Sequence, residues 1–156
     1  MKQLKVEKGK ILMLRNVIEY RMKWTSDTDI ERIVGLEEKY ILSKGAKPVG
    51  PVVQHNSIKI DSQGNIETWI SLFRQTTNSL DSIDEPFSFK PLVKVNNCLL
   101  LHFRGEGQDL KYAFDKLGVY AYENDLKLKG DSYTVFVNQT EDELIADIFM
   151  EYKVSE

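Results

Sequence analysis

The sequence predicts an α+β fold in which two βαββ repeats form one antiparallel sheet with two helices on one face. Three observations support this prediction. The order strand, capped helix, Lys-Gly stop, strand, polar turn, strand occurs twice in 156 residues; both helical segments have apolar residues at helical spacing; and the paired strand segments are joined by turns of hairpin length. The repeats cover about residues 11–75 and 98–154, joined by 76–92, so we expect one domain over residues 1–156.

The first repeat begins with a strand, predicted over Ile11–Trp24 from its strand-favouring residues. The polar segment 25–29 then supplies oxygen atoms that cap a helix N-terminus, with Asp29 three residues after Ser26 as in a capping box. One face of the following helix is apolar and contains Ile30, Ile33, Val34 and Ile41. Lys44-Gly45 is expected to end this helix.

A hairpin is predicted over residues 51–75, with its turn at 61–65, where the chain is polar and contains Gly64. The next segment, 76–91, is polar and shows no periodicity, so we interpret it as the connection between the repeats. Phe87 and Phe89 are expected to hold this connection against the surface of the fold.

The second repeat has a strand at Cys98–Phe103, a break at Arg104–Gly107 and a helix from Gln108 to about Leu126. Two further strands are expected at Tyr133–Asn138 and Leu144–Val154. The buried face of the helix is predicted to contain Leu110, Ala113, Phe114, Leu117 and Ala121. Three tyrosines lie off this face or at its edge, where aromatic rings can line a groove: Tyr112, Tyr120 and Tyr122.

Composition excludes several kinds of partner. The net charge of −3 and the isoelectric point near 5.5 argue against nucleic acid, which requires a basic surface. No apolar run approaches the roughly 20 residues that cross a bilayer, and the run 11–14 is too short for a signal peptide, so we predict no membrane partner. Cys98 is the single cysteine, which excludes an internal disulfide and favours the cytoplasm.

Four segments characterise the second repeat: the turn His102–Gly107, the aromatic helix with Tyr112 and Phe114, the Lys129-Gly130 stop and the last strand around Asp147–Met150. Together they resemble the GyrI-like effector-binding superfamily. The superfamily includes drug-binding domains of multidrug-sensing transcription regulators and stand-alone gyrase-inhibitory proteins. The resemblance implies a central groove that takes hydrophobic cations between aromatic rings and a buried carboxylate. A looser similarity connects the chain to stand-alone proteins of Gram-positive bacteria, some encoded near secreted-toxin genes.

By this resemblance Asp147 matches the acidic residue of the family's final strand, where glutamate is usual. Ile145 and Phe149 share its face of the strand. A carboxylate buried on that face would need a cation as its partner. The alternative is a solvated Asp147, with the core formed by the other face of the strand, which contains Ala146, Ile148, Met150 and Tyr152.

Glu67, Trp69, Ser71 and Phe73 share a face in the equivalent strand of the first repeat. Trp69 is the preferred aromatic contact for a cation, because cation-π attraction is strongest over an indole; its alternative role is in the core. The predicted ligand-binding residues are Asp147, Trp69, Glu67, Tyr112, Tyr120 and Phe149.

Catalysis, cofactors and metals have little support. His55 and His102 lie in separate strands without zinc-ligand spacing. Cys98 lacks the local features that produce a thiolate, and Arg104–Gly107 lacks the phosphate-loop pattern. We therefore predict no cofactor, no metal and no enzyme activity.

The leading hypothesis is a stand-alone cytoplasmic binding domain, monomeric or homodimeric, with a central groove for a small hydrophobic ligand of cationic type. The first alternative is a protein-interaction module that binds a partner protein, as a gyrase inhibitor or an accessory protein of a toxin cluster would. The second is a small-molecule hydrolase using Glu67, Asp147 or a tyrosine as acid or base, which two nearby inward carboxylates with a raised pKa would favour.

Overall fold

A computed structural model describes residues 4–154, and its elements confirm the α+β class. The described part of the chain has two α-helices, one short 3-10 turn and six strands. In chain order these are β1 (Val6–Lys23), α1 (Ile30–Ser43), β2 (Pro48–Ile60), β3 (Ile66–Thr76), β4 (Phe87–Gly105), the 3-10 turn Gly107–Asp109, α2 (Leu110–Glu123), β5 (Leu128–Gln139) and β6 (Leu144–Tyr152). None of these helices is long and apolar enough to cross a membrane.

The elements form two compact units, named here after their helices. The α1 unit contains residues 13–93, and the α2 unit contains the residues up to 12 together with those from 94 onward. In the α1 unit β3 pairs with β1 and with β2, both antiparallel. In the α2 unit β6 pairs in the same way with β4 and β5. The last strand of each βαββ segment is therefore the middle strand of its sheet.

Helix α1 begins later than the sequence pattern predicts. Asp29, and not Ser26 or Asp27, is the N-cap, and its Oδ1 accepts a hydrogen bond of 3.2 Å from the backbone N–H of Arg32. The preceding residues form a turn in which the backbone N–H of Thr25 donates to Thr28 Oγ1 at 2.9 Å. Because Thr25 and Thr28 hydrogen-bond to each other, neither caps the helix, and Asp29 is the residue that does.

The connection between the repeats is shorter than expected, because β4 already begins at Phe87. The Phe87 ring stacks on Tyr40 with a centroid distance of 4.2 Å. Phe87 and Phe89 both pack against the cluster that contains Ile18 and Ile41. The two phenylalanines therefore attach this segment to the fold as predicted, but as part of a strand.

Each helix packs on one face of the sheet in its own unit. The buried residues of α1 are Ile33, Glu37 and Ile41, and the two isoleucines pack with apolar side chains of β3 and β1 respectively. The buried residues of α2 are Ala113, Leu117 and Ala121, which pack against a β4 and β6 surface that contains Leu99, Leu101, Phe103, Ala146 and Ile148. Burial of the large apolar side chains among these, such as Ile41 and Leu117, stabilises by about 1.5–3 kcal/mol each.

Candidate functional site: a buried carboxyl beside an aromatic pocket

Glu37 is the buried acid at the centre of the α1 unit. Its four-residue spacing from Ile33 and Ile41 places it on the apolar face of α1, and it is 1% exposed. Neither carboxyl oxygen has a hydrogen-bond partner among the described residues. Burial raises the pKa of Glu37 to about 9, against the opposing effect of the nearby Arg74 charge. The carboxyl is therefore neutral at pH 7.

Arg74 does not form a hydrogen bond with Glu37. It lies on β3 opposite Ile18, on the sheet face that carries α1. Its Nη1 donates to Glu38 Oε1 at 2.7 Å, and its Nε has no hydrogen-bond partner within residues 4–154. A buried polar group without a partner costs about 1–3 kcal/mol. Arg74 thus bonds to the neighbouring Glu38, and both carboxyl oxygens of Glu37 remain without a hydrogen bond.

A mainly apolar pocket of about 450 Å³ opens beside the same helix. Its aromatic part is Tyr20, Tyr40 and Phe87, with Phe87 edge-on to Tyr20 at a centroid distance of 5.6 Å. The Tyr40 hydroxyl is fixed because it donates to Asp84 Oδ2 at 3.0 Å and accepts from the Asp84 N–H at 2.8 Å. The complete lining is Tyr20, Arg32, Leu36, Lys39, Tyr40, Pro86 and Phe87. Such concave aromatic surfaces suit flat apolar ligands.

A second buried acid, Glu19, lies on the other face of β1 because strand side chains alternate. It is 6% exposed and fully partnered: Ser71 Oγ donates to Oε2 at 2.5 Å, and Lys90 Nζ lies 2.8 Å from Oε1. Burial raises the pKa of Glu19, but the hydrogen bonds from Lys90 and Ser71 outweigh burial and lower it overall. Glu19 is therefore ionised where Glu37 is neutral.

Two of the predicted ligand residues, Glu67 and Trp69, contact each other in the α1 unit. The Trp69 indole N–H donates to Glu67 Oε2 at 3.1 Å, and Lys23 Nζ lies 3.1 Å from Glu67 Oε1. The hydrogen bonds from Lys23 and Trp69 lower the pKa of Glu67. Arg21 and Lys59 lie 5.0 and 5.4 Å from the indole centroid, so this ring already has cation-π partners from its own chain.

Asp147 has a partner within the α2 unit. It lies on the β6 face away from the core, and its Oδ1 is 2.6 Å from His102 Nδ1. The side chains of His102 and Asp147 are 61% and 28% exposed. The sequence left open which face of β6 enters the core. The structure shows that it is the face with Ala146, Ile148, Met150 and Tyr152.

The remaining predicted residues also lie in the α2 unit. Phe149 is half-buried on the same face of β6 as Asp147. Tyr120 packs at the edge of the core under α2, and Tyr112 is 44% exposed with Lys111 Nζ 5.3 Å from its ring centroid. Asp147 and Phe149 therefore lie on the same face of β6, whereas Tyr120 packs against the core.

Sequence reasoning missed Glu37. The available signal was an acid at the centre of an otherwise apolar helical stripe, between Ile33 and Ile41. The 3.6-residue period of the helix places Glu37 on the same face as those two isoleucines.

No cluster of three or more His, Cys, Asp or Glu side chains in the described chain is arranged to hold a metal ion. Cys98 is fully buried, and burial raises the pKa of its thiol to about 11.

No family model and no curated protein matches the sequence, whereas several solved structures share its fold. A hydrolase encoded by lin2189 from Listeria innocua superposes with a TM-score of 0.58 at 11% identity, covering 97% of this chain and 92% of that one. EcmrR, in a complex with DNA, gives 0.62 at 12% identity, covering 97% of this chain and 57% of that one. SAV2435 bound to tetraphenylphosphonium gives 0.50 at 9% identity, with 97% and 94% covered. Identities this low show a shared fold alone.

Proposed function

We propose that this protein is a small-molecule-binding domain of the GyrI-like type, and that its α1 unit takes a hydrophobic cation at Glu37. The observation that carries the proposal is a buried carboxyl without a hydrogen-bond partner, on the helix that lines an aromatic pocket. The shared fold with SAV2435, which was determined with the cation tetraphenylphosphonium, supports the same chemistry. The position differs from the Asp147 and Trp69 site expected from sequence.

The binding energy would come from two sources. The apolar body of the ligand is buried against Tyr20 and Phe87, and its positive charge supplies the partner that Glu37 lacks. Leu36 and Tyr40 lie beside Glu37 on the helix and line the pocket, so their side chains have to move for the cation to reach the carboxyl. Arg32 and Lys39 also line the pocket, and their charges repel any cation, least one whose charge is delocalised over a large apolar body.

The test is isothermal calorimetry with three probes of similar shape: the cation tetraphenylphosphonium, the neutral triphenylphosphine oxide and the anion tetraphenylborate. We expect selective binding of the cation, weakened at least about tenfold by Glu37→Gln, since the amide keeps the shape but cannot ionise. Asp147→Asn is the matched control and should bind the cation normally. Binding lost in Asp147→Asn and kept in Glu37→Gln would move the site to the α2 unit.

The protonation state of Glu37 provides an independent check. Because its pKa is about 9 in the free protein, cation binding at pH 7 must release a proton. Affinity should therefore rise by up to about tenfold per pH unit between pH 6 and 8. An affinity that is independent of pH in this range would contradict a role for Glu37.

A hydrolase is the second candidate, favoured by one specific feature. Burial raises the pKa of Glu37 to about 9, and a buried carboxyl that keeps its proton at pH 7 can act as a general acid. Mass spectrometry of each probe and of neutral aromatic epoxides after incubation tests this alternative, with Glu37→Gln as the inactive control. If no small molecule binds or reacts while the protein melts cooperatively, the interaction-module hypothesis becomes the better one.

A further inference from the structure

Helix α2 carries a groove on the side away from its core. This α2 groove has a volume of about 560 Å³ and is lined by Phe114, Asp115, Gly118, Val119, Tyr122 and Glu123. Tyr122 is 85% exposed and Val119 is 51% exposed. Large apolar side chains that remain in water on one continuous helix face mark a surface that another molecule covers.

Gly118 makes the floor of the groove. It lies in the helix interior with an ordinary helical backbone, and a Cβ placed there would have no atom within 4 Å. The fold of a single chain therefore does not require glycine at this position, where alanine would make a better helix. The absence of a side chain leaves space on this face of the helix into which a molecule packing from outside can fit.

We infer that the α2 groove binds the same groove of a second copy of this chain, with the two α2 helices antiparallel about a two-fold axis between Lys116 and Leu117. Such an axis pairs positions of equal distance from it. Phe114 then faces Val119 of the second copy, and Lys111 faces the Tyr122 ring. Asp115 falls over the gap at Gly118. The small Gly118 and Val119 thus lie opposite Asp115 and Phe114, and each contact occurs twice, as in any isologous interface.

The charges along α2 complement each other in this antiparallel arrangement. Lys111 and Lys116 lie in the first half of the helix, and Glu123 and Asp125 lie at its end. Antiparallel pairing brings each basic half against the acidic end of the second copy and also aligns the helix dipoles favourably. Asp115 opposes the pairing, because both copies of it lie near the axis, and Lys111 one turn away reduces this repulsion.

The first test is sedimentation equilibrium of the full chain, up to about 1 mM. We expect a monomer-dimer equilibrium that Gly118→Leu shifts toward monomer by at least about a hundredfold, since a leucine fills the gap and separates the helices. Gly35→Leu in α1 is the matched control, because that position also has no atom within 4 Å of a new Cβ. Circular dichroism verifies that both variants fold, and Val119→Lys replaces Gly118→Leu if the latter does not.

Charge reversal tests the orientation. Lys111→Glu and Glu123→Lys should each weaken the dimer by about tenfold, because the two-fold axis repeats every contact, and the double variant should recover most of the loss. Asp115→Asn should strengthen it. A wild-type protein that stays monomeric up to about 1 mM, or a dimer that is unchanged by Gly118→Leu or Val119→Lys, would overturn the inference.

Discussion

The two units place different residues in the same position of their helices. In each helix three buried residues follow one another at four-residue spacing: Ile33, Glu37 and Ile41 in α1, and Ala113, Leu117 and Ala121 in α2. The central residue is an acid in α1 and leucine in α2. An apolar residue is therefore compatible with this fold at that position, which indicates that the acid of α1 is not needed for packing.

The units also differ in how deeply they bury their ionisable side chains. The α1 unit buries Glu37 and Glu19, at 1% and 6% exposure. The α2 unit keeps the His102 and Asp147 pair partly exposed, at 61% and 28%, on the sheet face opposite α2. Charged groups removed from water interact more strongly and titrate further from their usual pKa values. Ligand chemistry that depends on charge is accordingly expected in the α1 unit.

The largest expected effect comes from making α2 resemble α1. Leu117→Glu should destabilise the protein by at least about 4 kcal/mol, because it combines a lost apolar side chain with a buried carboxyl. Urea unfolding followed by circular dichroism measures this change. Leu117→Met is the control and should cost less than about 1.5 kcal/mol. A loss below about 2 kcal/mol for Leu117→Glu would mean that the two helices tolerate an acid equally well.

The reverse change should have a smaller effect of opposite sign. Glu37→Leu should stabilise by about 1–3 kcal/mol near pH 5, since it removes an unpartnered buried polar group and leaves Arg74 bonded to Glu38. The same urea unfolding experiment measures it. If Glu37→Leu destabilises, Glu37 contributes to packing in a way that Leu117 does not.

The stabilisation by Glu37→Leu should grow with pH. Folded Glu37 keeps its proton up to a pKa of about 9, whereas an unperturbed glutamate has a pKa of 4.5. Between these values the folded state binds more protons than the unfolded state, so wild-type stability falls as pH rises, by up to about 1.4 kcal/mol per pH unit. Leucine does not titrate, and the difference between the two proteins should therefore be smallest near pH 5.

The smallest effect is expected in the α2 unit. Asp147→Asn should cost less than about 1 kcal/mol, because its contact with His102 is screened by water on both side chains. Thermal unfolding compared with His102→Gln and with the double variant isolates the pair. A coupling energy well above about 1 kcal/mol would show that exposure alone does not separate the two units.

Much of the fold was predictable because its signals are local. Alternation and helical spacing identified the element order, the buried face of α2 and the shared face of Glu67 and Trp69. The start of β4 at Phe87 was missed, because the residues before it are polar and show no strand pattern. The strand begins there because Phe87 packs on Tyr40, which is distant in sequence. The burial of Glu19 was missed for a related reason: both faces of β1 contain apolar residues.

The sequence by itself determined the α+β class, the two βαββ segments and the apolar stripes of both helices, because periodicity depends only on neighbouring residues. Only the tertiary structure decided which carboxyls lose their water and which of those find a partner. Glu19 obtains Ser71 and Lys90, whereas Arg74 turns to Glu38 and leaves Glu37 without one. These outcomes depend on strands that are distant in sequence and meet in the sheet, and desolvation is a property of that assembly.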